Sequence, residues 1–176
     1  MNGIGPQEPR KKIPKLTPAL LRFIEGMGLY FESQGIPRIG GRMLALLMIA
    51  HWPLSAEDLA QILKISRGSI STNLRLLLGT GLVEKAAIPG SRRTSFLYSD
   101  HAMEHRIVSG MESTRAFMRL LQQAAAAVPP RDPARHHIDD SLAASDLLLE
   151  AFDQAAERLR SRRPAHRQRQ AAGSGG

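Results

Sequence analysis

The apolar residues of this chain recur at helical spacing over most of its length. From Leu20, the positions Phe23, Ile24, Met27, Tyr30 and Phe31 repeat at threes and fours, which predicts a helix with one buried face. Thr17 is placed to cap its start, with Pro18 at the first helical position and Gly35 just past its end. Pro37 opens a second helix containing "GGRMLALLMIA", apolar nearly all round and so expected at the centre of the core, ending before Trp52 and Pro53. In "LSAEDLAQIL", Ser55 and Asp58 have capping-box spacing, and Leu59, Ile62 and Leu63 are expected to face inward. After a short turn at Lys64 and Ile65, Ser66 caps another helix that runs to about Thr80 and stops at Gly81.

The period then changes. "LVEKAAI" alternates apolar and polar as a strand, "PGSRRT" reads as a turn, and "SFLY" reads as the return strand. Helical spacing resumes from about His101 to Val128, with Met103, Ile107, Met111, Thr114, Phe117, Met118, Leu121 and Val128 on one face. "PPRDP" breaks that helix, and a last one, around Ile138 to Arg160, aligns Leu142, Leu148, Phe152 and Leu159. Two short helices joined by a tight turn and followed by a hairpin make a winged helix-turn-helix. The expected class is therefore mainly α with a small β-hairpin wing. The domain reading is a flexible basic arm (1–16), the winged domain with its flanking helices (17–128), a linker and terminal helix (129–160) and a disordered basic tail (161–176).

Composition narrows the function. The 176 residues include no cysteine, which removes disulfides, thiolate metal sites and cysteine nucleophiles and fits a reducing interior. "MLALLMIA" is far shorter than the ~20 apolar residues of a membrane span. The N-terminal "MNGIGPQEPRKKIPKL" has no apolar stretch behind its basic cluster, unlike a signal peptide. The expectation is a cytoplasmic protein without a membrane partner, associated with the nucleoid if it binds DNA.

The net charge is +8, and its distribution matters more than its sum. Residues 1–15 carry +3 and residues 157–176 carry +5, so the body between them is neutral. Within that body, residues 64–93 hold Lys64, Arg67, Arg75, Lys85, Arg92 and Arg93 against Glu84 alone. A basic segment on an otherwise acidic body is a docking surface for a polyanion.

That segment begins with "SRGSISTNLRLLL". Projected on a helix, Ile70, Leu74 and Leu77 share one side, and Gly68, Ser71, Thr72 and Arg75 share the other. Short side chains permit close approach to a duplex, and an arginine reads guanine or grips a phosphate. Backbone N–H groups at Arg67 to Ser69 are placed to hold a phosphate oxygen at the positive end of the helix dipole. The expected DNA-binding residues are Lys64, Ser66, Arg67, Gly68, Ser69, Ser71, Thr72 and Arg75, with Arg92 and Arg93 at the wing tip reaching the minor groove or flanking phosphates.

"GIPRIGGRMLALLMIA", "PLSAEDLAQILKISRGSISTNLRLLLGTGLVEK" and "IPGSRRTSFLY" resemble the MarR-type winged helix-turn-helix regulators, in particular the GbsR-like branch. The resemblance covers roughly residues 20–128. It implies a cytoplasmic homodimeric transcriptional regulator, most often a repressor, acting on a roughly palindromic operator in double-stranded DNA. It places Ser66 to Arg75 in the recognition helix and Arg92 and Arg93 at the wing tip. It builds the dimer from terminal helices, here Thr17 to Gln34, the helix after His101 and the helix around Leu142 to Leu159. Branch members act in osmoprotectant metabolism, and some sense choline, whose quaternary ammonium calls for an aromatic cage.

Other groupings point to less. "RHHIDD", Arg135 to Asp140, holds two histidines and two aspartates, but adjacent histidines point different ways on a helix, so helix-terminal aspartates explain the cluster better than a metal site. Gly26, Gly28, Gly35, Gly40 and Gly41 follow no strand and match neither a dinucleotide fingerprint nor a P-loop. The sequence calls for no cofactor, no metal and no catalytic residue. Tyr30, His51 and Trp52 are the candidate lining of an effector pocket, against a reading as ordinary core. A protein-docking winged helix without DNA affinity, and a small enzyme built on His136 to Asp140, are the competing functions.

Overall fold

Helix α1 spans Pro18–Ser33, and the Thr17 hydroxyl accepts a hydrogen bond from the Leu20 N–H at 3.3 Å. This computed structural model describes residues 15–50, 52–88 and 93–162. His51, the wing tip at 89–92, nearly all of the basic arm and nearly all of the basic tail lie outside the described residues. The chain divides into two compact units, Met1–Ala102 and Met103–Gly176.

In the first unit α1 packs on α2, Arg38–Ile49. Their crossing is set by glycines. A Cβ on Gly41 would lie 2.6 Å from the Met27 carbonyl oxygen, and one on Gly28 would lie 2.8 Å from Cγ of Arg42. Because the backbones meet there, the buried stripe of α1 is Ile24, Gly28 and Phe31, with Leu20 and Met27 half-buried beside it. Phe23 and Tyr30, expected on that stripe, are exposed at its edges. Helix α2 is the central element as expected, with Gly40, Gly41 and Met43 to Leu47 all buried. Glu25 of α1 fastens the pair by ion pairs to Arg38 (3.1 Å) and Arg42 (2.8 Å).

Strand β1 is only Leu54–Ser55 and leads directly into α3, Ala56–Leu63. The predicted capping box is present. Ser55 Oγ accepts from the Asp58 N–H, and the Asp58 carboxylate accepts from the Ser55 N–H at 2.8 Å. Lys64 makes the turn in the left-handed region (φ 54°), and α4 follows over Arg67–Gly79, closed by Gly81 at φ 68°. Strands β2 (Val83–Ala86) and β3 (Ser95–Tyr98) form the hairpin, and β1 adds to β3, giving an antiparallel sheet in the order β1-β3-β2. The sequence predicts two of these strands. Two residues are too few to show a period, so the pattern does not reveal the third. Ile24, Phe31, Leu44, Leu46, Leu54, Leu59, Ile70, Leu77, Val83 and Phe96 belong to one core.

The second unit consists of α5 (Ala102–Ala127, its first residue in the first unit) and α6 (Pro133–Ser161). The Phe152 ring lies over Gly110, where a Cβ would come within 2.7 Å of it. Helix α6 starts earlier than its apolar pattern suggests, because Asp132 caps it and Pro133 takes the first position. Its inner face runs Ile138, Leu142, Ser145, Leu149, Phe152 and Leu159, whereas Leu148 points outward. Ser145 is tolerated inside because its hydroxyl donates to the Ser141 carbonyl at 2.7 Å. On α5, Met103 and Phe117 are half-exposed rather than buried.

Candidate nucleic-acid interface

The basic segment is displayed by α4. Ile70, Leu74 and Leu77 are buried, and Asn73 joins them, so this face is committed to the core. Asn73 donates its amide to the Ser69 carbonyl at 2.9 Å, and its Oδ1 sits against Gly40 of α2, where a Cβ would be 3.0 Å away. Sequence reading misses Asn73 as a core residue because its polarity hides it. Its position three residues after Ile70 is the available signal.

The opposite face is open. Lys64, Ser66, Arg67, Gly68, Ser71, Thr72 and Arg75 are all exposed, and Ser69 is half-buried. Ser66 Oγ accepts from the Ser69 N–H at 3.3 Å, and its hydroxyl donates to Ser69 Oγ at 2.9 Å. The Ser69 N–H is thus occupied by the cap. The N–H groups of Arg67 and Gly68 stand outside the intrahelical ladder at the positive end of the dipole. A Cβ on Gly68 would meet nothing within 4 Å, so this turn is bare backbone toward solvent.

The three-stranded sheet fixes the base of the wing. Ser55 pairs with Ser95 and Leu54 with Phe96, so the start of α3 is tied to β3. Counting outward along antiparallel chains from Ser55 and Ser95 brings position 57 toward position 93. The Glu57 carboxylate lies 2.7 Å from Arg93 Nη1, and its other oxygen lies 3.6 Å from Arg67 Nη2. Two expected DNA-contacting arginines therefore share one acidic neighbour, which sequence reading does not anticipate. Arg92 lies outside the described residues.

Tyr30 is exposed and stacks edge-on against Phe31, with ring centroids 5.2 Å apart; Trp52 is half-buried; His51 lies outside the described residues. Within "RHHIDD" the structure forms pairs along the helix, Arg135 with Asp139 at 2.8 Å and His136 with Asp140 at 3.2 Å. Among the described residues no group of three or more histidine or acidic side chains is placed to hold a metal ion. Among them, too, no helix is long and apolar enough to cross a membrane.

A capped helix-turn-helix with an open polar face, followed by a sheet-anchored hairpin, defines a winged helix-turn-helix protein. The sequence model of the MarR family matches residues 34–94, the span from the end of α1 to the start of β3. The crystal structure of a transcriptional regulator, 30% identical, covers 82% of this chain and all of that one, with a TM-score of 0.67. The HTH-type transcriptional regulator MmpR5 of Mycobacterium tuberculosis is 44% identical over 80 residues, which are 45% of this chain. That match spans 48% of MmpR5, about half its length. The chain belongs to the MarR family.

Proposed function

We propose that this chain is a sequence-specific DNA-binding transcriptional regulator, acting as a homodimeric repressor on a palindromic operator. The observation that carries the reading is the division of α4 into a buried face and an exposed face of Gly68, Ser71, Thr72 and Arg75. The small residues admit the edge of a duplex, Arg75 reads bases in the major groove, and Lys64, Arg67 and the wing arginines Arg92 and Arg93 hold phosphates. The function needs no cofactor and no catalysis. Its place is the cytoplasm, at the nucleoid. The similarity to two transcriptional regulators supports it.

Dimerisation is supported by apolar side chains left exposed on the helices expected to form it. These include Leu21, Leu29 and Tyr30 on α1, Val108, Phe117 and Leu120 on α5, and Leu147 and Leu148 on α6. Paired subunits would present two recognition helices one helical turn of DNA apart. A small-molecule effector would act by favouring a dimer geometry whose spacing no longer fits the operator. Tyr30, His51 and Trp52 are its proposed contacts. The finer GbsR-like placement rests on the resemblance over roughly residues 20–128.

Fluorescence anisotropy across a salt series tests the function, using a duplex from upstream of the protein's own gene and a scrambled duplex. The expected result is much tighter binding to the upstream duplex at moderate salt. Arg75→Ala is expected to remove about 1–3 kcal/mol of discrimination between the duplexes. Arg92→Ala with Arg93→Ala is expected to weaken binding to both and flatten the salt dependence. Equal losses on both duplexes from all variants would overturn the assignment of readout to α4, and no binding at low salt would favour a protein-docking module.

A further inference from the structure

We propose that Glu57 is a specificity-determining residue, an internal carboxylate that competes with the DNA backbone for Arg67 and Arg93. The inference rests on the regulator reading for its ligand, but its evidence is separate. Asp58, next to Glu57, spends its carboxylate inside the fold on the backbone N–H and hydroxyl of Ser55. Glu57 takes no part in that capping box. Its carboxylate points instead to the first residue of α4 and to the wing, at 3.6 Å from Arg67 and 2.7 Å from Arg93. The β1–β3 register and the tight α3–α4 turn bring these three residues together from two helices and the loop that leads into β3.

A carboxylate and a phosphate diester present the same chemistry to a guanidinium, so binding a duplex exchanges one anion for the other. The pairs are exposed, with side-chain accessibilities of 80% for Arg67, 66% for Arg93 and 42% for Glu57, so the exchange is cheap enough to occur and too weak to block binding. Its effect falls mainly on sequence-independent binding. That mode draws nearly all its free energy from phosphates and gains from mobile arginines that can grip in any register. An operator complex fixes one register through base contacts by α4, so freed arginines add less to it.

The test is Glu57→Gln, which keeps the shape and removes the charge, measured by anisotropy on the scrambled and upstream duplexes across salt. The variant is expected to bind the scrambled duplex about twofold to tenfold more tightly at low salt. Its log–log salt slope should steepen by about one. The gain on the upstream duplex should be smaller, so the ratio between the two falls. In addition, Arg93→Gln should weaken scrambled-duplex binding more in the Glu57→Gln background than in the wild type, because the carboxylate no longer occupies that arginine.

An unchanged affinity and slope on the scrambled duplex, an equal gain on both duplexes, or strictly additive effects of the two substitutions would overturn the proposal. Failure of the regulator reading looks different. The wild type would then bind both duplexes alike, while competition by Glu57 would still be decided by affinity and slope on the scrambled duplex.

Discussion

Replacing Gly41 by alanine tests whether the α1–α2 crossing is as tight as its geometry demands. The new Cβ would lie 2.6 Å from the Met27 carbonyl oxygen, 2.9 Å from Gly28 Cα and 2.9 Å from Phe31 Cβ. Two of these neighbours are backbone, so no rotamer change relieves the clash and α1 must retreat. Restoring ordinary contact at about 3.5 Å requires a retreat of roughly 0.6–0.9 Å, which forfeits about a quarter to a half of the dispersion energy of each contact across the crossing. Ile24 and Phe31, only 1% and 4% exposed, lose most. Overpacking of this kind costs about 1–3 kcal/mol, and the better helix propensity of alanine returns up to about 1 kcal/mol.

The net loss is therefore about 0–3 kcal/mol, or a fall of up to roughly 12 °C in melting midpoint for a chain of this size. Gly26→Ala is the internal control. It lies in α1, where an added methyl would meet nothing within 4 Å, and it should gain up to about 1 kcal/mol. Differential scanning calorimetry at one fixed protein concentration reads both, since self-association would make the midpoint concentration-dependent. A Gly41→Ala protein as stable as the Gly26→Ala protein would refute the close crossing.

Two further perturbations are local. Ser66→Ala removes the cap from α4 and should cost about 1 kcal/mol in urea unfolding, with faster amide exchange in the first turn of α4; unchanged exchange at Ser69 would contradict the cap. Arg135 donates to the carbonyls of Ala125 (2.8 Å) and Val128 (3.3 Å), closing the C-terminal end of α5 from the start of α6. Arg135→Met should therefore cost about 1–2 kcal/mol, while Asp139→Asn, which breaks only an exposed pair, should cost under about 0.5 kcal/mol. Equal melting midpoints for these two variants would remove the role assigned to Arg135.

What the sequence determined by itself is the set of features decided within a few residues. The caps at Thr17, Ser55 and Ser66, the stops at Gly35 and Gly81, and the split of α4 into apolar and polar faces are all local, because each depends on one turn of backbone or on one helical period. The exposed polar face of α4 was legible for the same reason: exposure and burial alternate around a single helix. Tertiary structure decided whatever depends on residues distant in sequence. Gly28 and Gly41 look like isolated helix-weakening residues until α1 and α2 cross on them, and that crossing turns Phe23 and Tyr30 out of the core. Asn73 is a polar residue until Gly40 makes room for it. The two-residue β1 has no period of its own and exists only through its pairing with β3. That pairing in turn delivers Glu57 to Arg93, because an antiparallel register adds sequence positions that no local pattern connects.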